Sequence, residues 1–162
     1  MSDDGDREAR VFSVETRFQK LARQAGGIPR DEAIEKAWAK VDEIKPGFDE
    51  WLDKELQKLA DVVKSVQPGN PPSDWVDIAN GLSRQLRDVG TTMGFELLTY
   101  IANSFCEVLD AIAAGAEYNM ESITCHLDAL FLARQKSYRS LKPEQVPELT
   151  SGLRRVVNFI ST

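Results

Sequence analysis

Residues 82–95 read Leu82-Ser83-Arg84-Gln85-Leu86-Arg87-Asp88-Val89-Gly90-Thr91-Thr92-Met93-Gly94-Phe95. Leu82, Leu86 and Val89 continue a series begun by Trp75, Ile78 and Ala79, with spacings of three and four. That spacing is the repeat of one helix face, so the stretch belongs to an amphipathic helix. Ser73 is the expected N-cap, and Gly90 and Gly94 flank the expected break. Arg84 stands two positions from both Leu82 and Leu86, about 160° around the helix from the apolar stripe, and is expected to face solvent. Asn80, Arg84, Arg87 and Thr91 share that outer face.

The same periodicity recurs on both sides. Ile34, Ala37, Val41 and Ile44 predict a helix interrupted at Pro46-Gly47. Phe48, Trp51, Leu52, Leu59, Val62, Val63 and Val66 predict a second, ending at Gln67-Pro68-Gly69-Asn70-Pro71-Pro72. After the break at Gly94, Leu97, Leu98, Ile101, Phe105, Val108, Leu109 and Ile112 form a stripe that closes on Ala113-Ala114-Gly115. Asn119 is placed to cap a helix carrying Met120, Ile123, Leu127, Leu130 and Phe131. Pro143 and Pro147 mark entry to a last helix with Leu149, Leu153, Val156, Val157 and Ile160, because proline has no N–H to lose in a first turn. Trp38, Trp51 and Trp75 fall near these stripes and are expected in core packing. No segment shows the strict alternation of a half-buried strand. Long amphipathic helices with short connections predict an all-α chain, an antiparallel up-and-down bundle with additional N- and C-terminal helices.

The first thirty residues are read as an arm, disordered or a short helix over 14–25, ending at Gly26-Gly27-Ile28-Pro29. Residues 31–162 are read as one helical domain. Of the 162 residues, 42% are hydrophobic, enough for one core. The formal net charge of −6 argues against a nucleic-acid partner, since nothing concentrates Lys and Arg. No apolar run of about 18 residues is present, so no membrane span is expected. The first ten residues are acidic and polar, unlike a signal peptide. Cys106 and Cys125 are read as free thiols, and a cytoplasmic location is expected.

Within the opening stretch, Arg84-x-Leu86-Arg87-Asp88 followed by Met93-Gly94 resembles the signature of histidine-containing phosphotransfer (HPt) domains. There a helix carries His-x-Leu-Lys-Gly and, a few residues later, Leu-Gly. Arg84 falls on the histidine, Leu86 on the leucine, Arg87 on the lysine, Asp88 on the glycine and Met93-Gly94 on Leu-Gly. The resemblance covers about residues 48–138 and implies a four-helix bundle core there. In the family, an exposed imidazole accepts a phosphoryl group from a receiver-domain aspartate, the lysine steadies the phosphoryl oxygens, and the glycine gives clearance.

The departures matter. A guanidinium stays protonated and has no lone pair with which to attack phosphorus, so Arg84 cannot be the acceptor. Arg87 keeps the positive charge. Asp88 replaces clearance with a carboxylate that would repel an acidic receiver site. The resemblance therefore implies a non-catalytic signalling adaptor of a two-component system. It would bind a receiver domain or a histidine kinase through Asn80, Arg84, Arg87, Asp88 and Thr91, with no catalytic residue, cofactor or metal. The plainer reading of the same residues is an i,i+4 ion pair between Arg84 and Asp88 on a solvated face.

His126, the only histidine, lies at the edge of the stripe of its helix. It is read as a packed or surface residue, with a displaced phosphate acceptor as the alternative function. One histidine without cysteines or a carboxylate cluster makes no metal site. The acidic pairs Asp42-Glu43 and Asp49-Glu50 are read as solvated surface. A further alternative is an assembly protein that forms a homodimer through residues 31–45 or 143–160.

Overall fold

The computed structural model describes residues 26–66 and 73–160, together with Thr16, Arg17 and Lys20. The arm expected over residues 1–30 and the loop at 67–72 lie largely or wholly outside the described residues. Within the arm, the Lys20 N–H donates to the Thr16 carbonyl at 3.1 Å, one helical turn apart.

Every regular element among the described residues is helical. In chain order these are α1 (Arg30–Ser65), α2 (Trp75–Met93), α3 (Glu96–Ala113), α4 (Met120–Arg134), a 3₁₀ turn (Pro143–Gln145) and α5 (Pro147–Ile160). No described helix is long and apolar enough to cross a membrane. The chain divides into two compact units, Met1–Lys40 and Val41–Thr162. The described part of the first unit includes the start of α1, where Trp38 is 57% exposed and Ile34 is also exposed. Trp38 is therefore not a core residue, contrary to its place near a stripe.

In the second unit α1 runs through Pro46-Gly47 without stopping, which corrects the expected break. Proline inside a helix costs about 3 kcal/mol by removing one ladder bond and crowding the preceding turn. Pro46 and Gly47 are exposed, whereas Phe48, Leu52, Leu56, Leu59 and Val63 just beyond are buried, and their burial stabilises the continuous helix.

The connection between α2 and α3 positions the motif. Gly94 adopts φ +76, the left-handed conformation open to glycine. Its N–H donates to the Thr91 carbonyl, and the Phe95 N–H donates to the Gly90 carbonyl, the paired bonds of a Schellman end. The chain reverses there, and α3 starts at once. Phe95 anchors the reversal. It stacks on Phe48 of α1 at 5.0 Å between ring centroids, with the Arg139 guanidinium 5.0 Å from its own ring centre. Arg139 in turn pairs with Asp49 of α1.

Helix α3 is the most enclosed element. Its buried set, which includes Leu97, Leu98, Ile101, Ala102, Phe105, Cys106, Val108 and Leu109, covers more than one face. It packs against α2, α4 and α5. The same glycine-ended reversal recurs after α3: the Gly115 N–H donates to Ile112 and the Ala116 N–H to Ala111. Asn119 caps α4 as expected, its side chain accepting from the Ser122 N–H at 2.8 Å. The expected cap at Ser73 is not used; Asp74 precedes α2 and makes no side-chain cap bond. Pro143 and Pro147 open the 3₁₀ turn and α5, as expected. Ile78 and Phe131 lie on predicted stripes yet are exposed, because each sits at the margin of its helix's buried face.

Candidate functional site

Leu86 is fully buried, and Arg84 on the opposite side of α2 is exposed, as the spacing predicts. The Arg84 side chain does not extend freely into solvent. Its Nη2 reaches Asp110 Oδ1 of α3 at 3.0 Å, and its Nε donates to Asn80 Oδ1 at 3.1 Å. Asn80 Nδ2 donates to the same Asp110 oxygen at 2.5 Å. Asn80, Arg84 and Asp110 thus form a closed triangle across the two helices. With the Arg84 and Asp110 side chains 54% and 52% exposed, the triangle is a surface network, worth about 0–1 kcal/mol in stability.

Asp88 engages a different partner. It accepts from Arg87 Nε at 2.9 Å. The i,i+4 pair between Arg84 and Asp88 is corrected: Arg84 turns across to α3, and Asp88 turns to its neighbour. The hydrogen bond to Asp88 holds the Arg87 guanidinium still further above its ordinary pKa, so it stays a cation. The carboxylate that looked repulsive in the sequence is neutralised by the residue beside it. Thr91 is exposed, and its hydroxyl donates to the Arg87 carbonyl at 2.9 Å, so it is tied back to α2 and takes no part in the triangle.

Of the five predicted residues, the structure joins Asn80 with Arg84 and, separately, Arg87 with Asp88. It adds Asp110, which sequence reasoning missed. The available signal was the polar face of α3, on which Asn103, Glu107 and Asp110 recur at helical spacing and which the reversal at Gly94 folds beside α2. Arg84, Arg87, Asp88 and Asp110 carry formal charges that cancel, so the face has two cations, Arg84 exposed and Arg87 half-buried, each held in an ion pair.

Close approach of α2 and α3 beneath this face depends on Gly90. A Cβ built there would lie 2.8 Å from Thr99 Oγ1.

His126 is fully buried. Its Nδ1 lies 3.0 Å from the Ser122 carbonyl, which can only accept, so Nδ1 carries the proton. Nε2 then accepts from the Ser104 hydroxyl at 3.0 Å. The ring stacks on Phe105 at 5.5 Å. Burial pushes the imidazole pKa below its ordinary value, while the bond to Ser122 acts in the opposite direction. Both nitrogens are occupied and sealed from solvent, so neither can meet a phosphoryl donor. His126 is thus a packed residue, as one of the two sequence readings expects.

Cys106 is buried, and burial pushes its thiol up to about 11; Cys125 is exposed. No group of three or more metal-ligating side chains occurs among the described residues. Comparison with protein-family models, with curated proteins and with solved structures finds no match to this chain.

Proposed function

We propose that this chain is a degenerate HPt-like module that docks on a receiver domain or a histidine kinase of a two-component system without carrying phosphate. One observation carries the reading: Arg84 sits exposed in mid-helix, over a buried Leu86, at the register where the family presents its acceptor histidine. The helix reversal at Gly94 and the immediate start of α3 fit the same register. In this reading the second unit is a four-helix bundle built from the later part of α1 with α2, α3 and α4, with α5 added to it, and the module acts in the cytoplasm.

The chemistry of the face suits docking. An acidic partner site offers carboxylates that exchange with Asp110 and Asp88 for the two guanidiniums. Such an exchange costs little because both carboxylates and Arg84 are exposed and Arg87 is only half-buried. Arginine is suited to it, since its planar fork accepts carboxylate oxygens in pairs. Phosphoryl transfer is absent from the reading because Arg84 has no lone pair to offer and His126 is sealed. Titration of a receiver-domain panel against the protein and its Arg84→Glu/Arg87→Glu variant tests this. Binding that survives the charge reversal unchanged refutes the proposed face.

A second reading, assembly through the start of α1, is favoured by the exposed Ile34 and Trp38. A sedimenting dimer that Trp38→Glu converts to monomer supports it, and a monomer at tens of micromolar excludes it.

A further inference from the structure

The remaining surface carries a feature the Arg84 face does not explain. Between α4 and α5 lies an apolar depression of about 770 Å³, open to solvent, whose apolar lining includes Met120, Ala129, Leu132 and Leu149. A second depression of about 420 Å³, lined also by Tyr138 and Val146, shares Leu132 and Leu149 with the first. The two adjoin at these shared residues and together make up a trough. Its borders are acidic: Glu121 and Asp128 line the first part and Glu148 the second. All three are exposed, and none forms a salt bridge among the described residues. Arg134, the basic residue at the end of α4, is committed to Asp53 of α1.

We infer that this trough binds a short amphipathic helix of a partner protein, with apolar anchors on one face and Lys or Arg beside them. An open apolar groove with unpaired carboxylates along its edge is complementary to a basic helix. Residues 120–132 rise about 18 Å along α4, the length of a three-turn helix of about 12 residues. A second copy of this chain is the poorer occupant. The chain has a net charge of −6, and its exposed apolar residues Ile34 and Trp38 lie in a segment, residues 30–40, where Arg30, Lys36 and Lys40 balance Asp31, Glu32 and Glu35, so it brings no net positive charge to the acidic border. With the Arg84 face on α2 and α3, a helix-binding trough on α4 and α5 gives the module two separate docking surfaces.

Cys125 lines the trough and is exposed, while Cys106 is buried, so one thiol reports on occupancy and the other serves as an internal reference. The probes are two fluorescein-labelled 14-residue helices with leucine at positions i, i+3, i+4 and i+7, one carrying lysine and the other glutamate at the flanking positions. The full chain is titrated by anisotropy, and Cys125 alkylation by iodoacetamide is followed by mass spectrometry. The lysine helix is expected to bind and to slow Cys125 alkylation about fivefold or more at saturation, the glutamate helix to do neither. Glu121→Lys/Asp128→Lys changes exposed residues and preserves the fold; it is expected to weaken the lysine helix about tenfold. Arg84→Glu/Arg87→Glu is expected to leave it unchanged, which separates this trough from the first docking face. Equal binding of both helices, binding that leaves Cys125 unprotected, or insensitivity to the two lysine substitutions overturns the inference. Protection of Cys125 that grows with protein concentration alone assigns the trough to a second copy and overturns it too.

Discussion

Replacing Gly90 by alanine adds one methyl group at the contact between α2 and α3, and the structure gives both signs of the effect. Alanine is favoured over glycine inside a helix by about 1 kcal/mol. At Gly81, about two and a half turns earlier on α2 and exposed, a Cβ meets nothing within 4 Å, so Gly81→Ala is expected to stabilise the protein by about 0.5–1 kcal/mol. At Gly90 the same Cβ lies 2.8 Å from Thr99 Oγ1, 3.4 Å from the Thr99 nitrogen and 3.6 Å from Leu98 Cδ2. The Thr99 hydroxyl cannot swing aside freely, because it donates to the Phe95 carbonyl at 3.0 Å. Giving up that bond costs about 0.5–1.5 kcal/mol, and separating the helices costs about 1–3 kcal/mol. After subtracting the propensity gain of about 1 kcal/mol, Gly90→Ala is expected to destabilise by about 0.5–3.5 kcal/mol, leaving the two alanine variants about 1–4.5 kcal/mol apart. Urea unfolding followed by circular dichroism at constant m-value measures both. Adding Thr99→Ala removes the Oγ1 obstacle and is expected to close most of the gap. If Gly90→Ala stabilises as much as Gly81→Ala, the close packing of α2 on α3 is refuted.

Two further predictions follow from the buried and exposed polar groups. His126 has a lowered pKa when folded, so the unfolded chain binds the extra proton. Stability is therefore present above the ordinary histidine value of 6.5 and is lost as pH falls below it. From pH 7.5 to 5.5 the loss attributable to this residue is up to about 1.4 kcal/mol. Urea midpoints measured across that range should show it, and His126→Gln should remove this component; an unchanged pH slope in the variant contradicts the assignment. For the surface triangle, Arg84→Ala is expected to change stability by less than about 1 kcal/mol in the same unfolding assay. A larger loss shows that the pair with Asp110 is structural rather than exchangeable.

Most of the helical order was legible in the chain, and the reason is periodicity. Leu86 buried and Arg84 exposed follow from a repeat of 3.6 residues, and Asn119, Pro143, Pro147 and Gly94 act through local backbone chemistry that needs no distant partner. The failures came where tertiary context outweighs a local rule. Pro46 should break a helix, but burial of Phe48, Leu52 and Leu56 carries α1 through it. Trp38 has the composition of a core residue and stands exposed, since a stripe records which face is apolar and not whether a neighbour covers it. The candidate site was half legible. Exposure of Arg84 was a property of its own helix, whereas its partner Asp110 is 26 positions away and is brought near only by the reversal at Gly94. Asp88 read as an obstacle because its neutralisation by Arg87 depends on side-chain direction, which spacing does not determine.

The central claim is docking without phosphate, and one measurement addresses both parts. The protein is mixed with a radiolabelled phospho-receiver domain, alongside a functional HPt domain as positive control. Complex formation and label on each chain are read from the same sample. The account predicts a complex that Arg84→Glu/Arg87→Glu weakens, with no acid-labile phosphate on this chain while the control is labelled. Phosphohistidine on this chain, or a complex indifferent to the charge reversal, contradicts it.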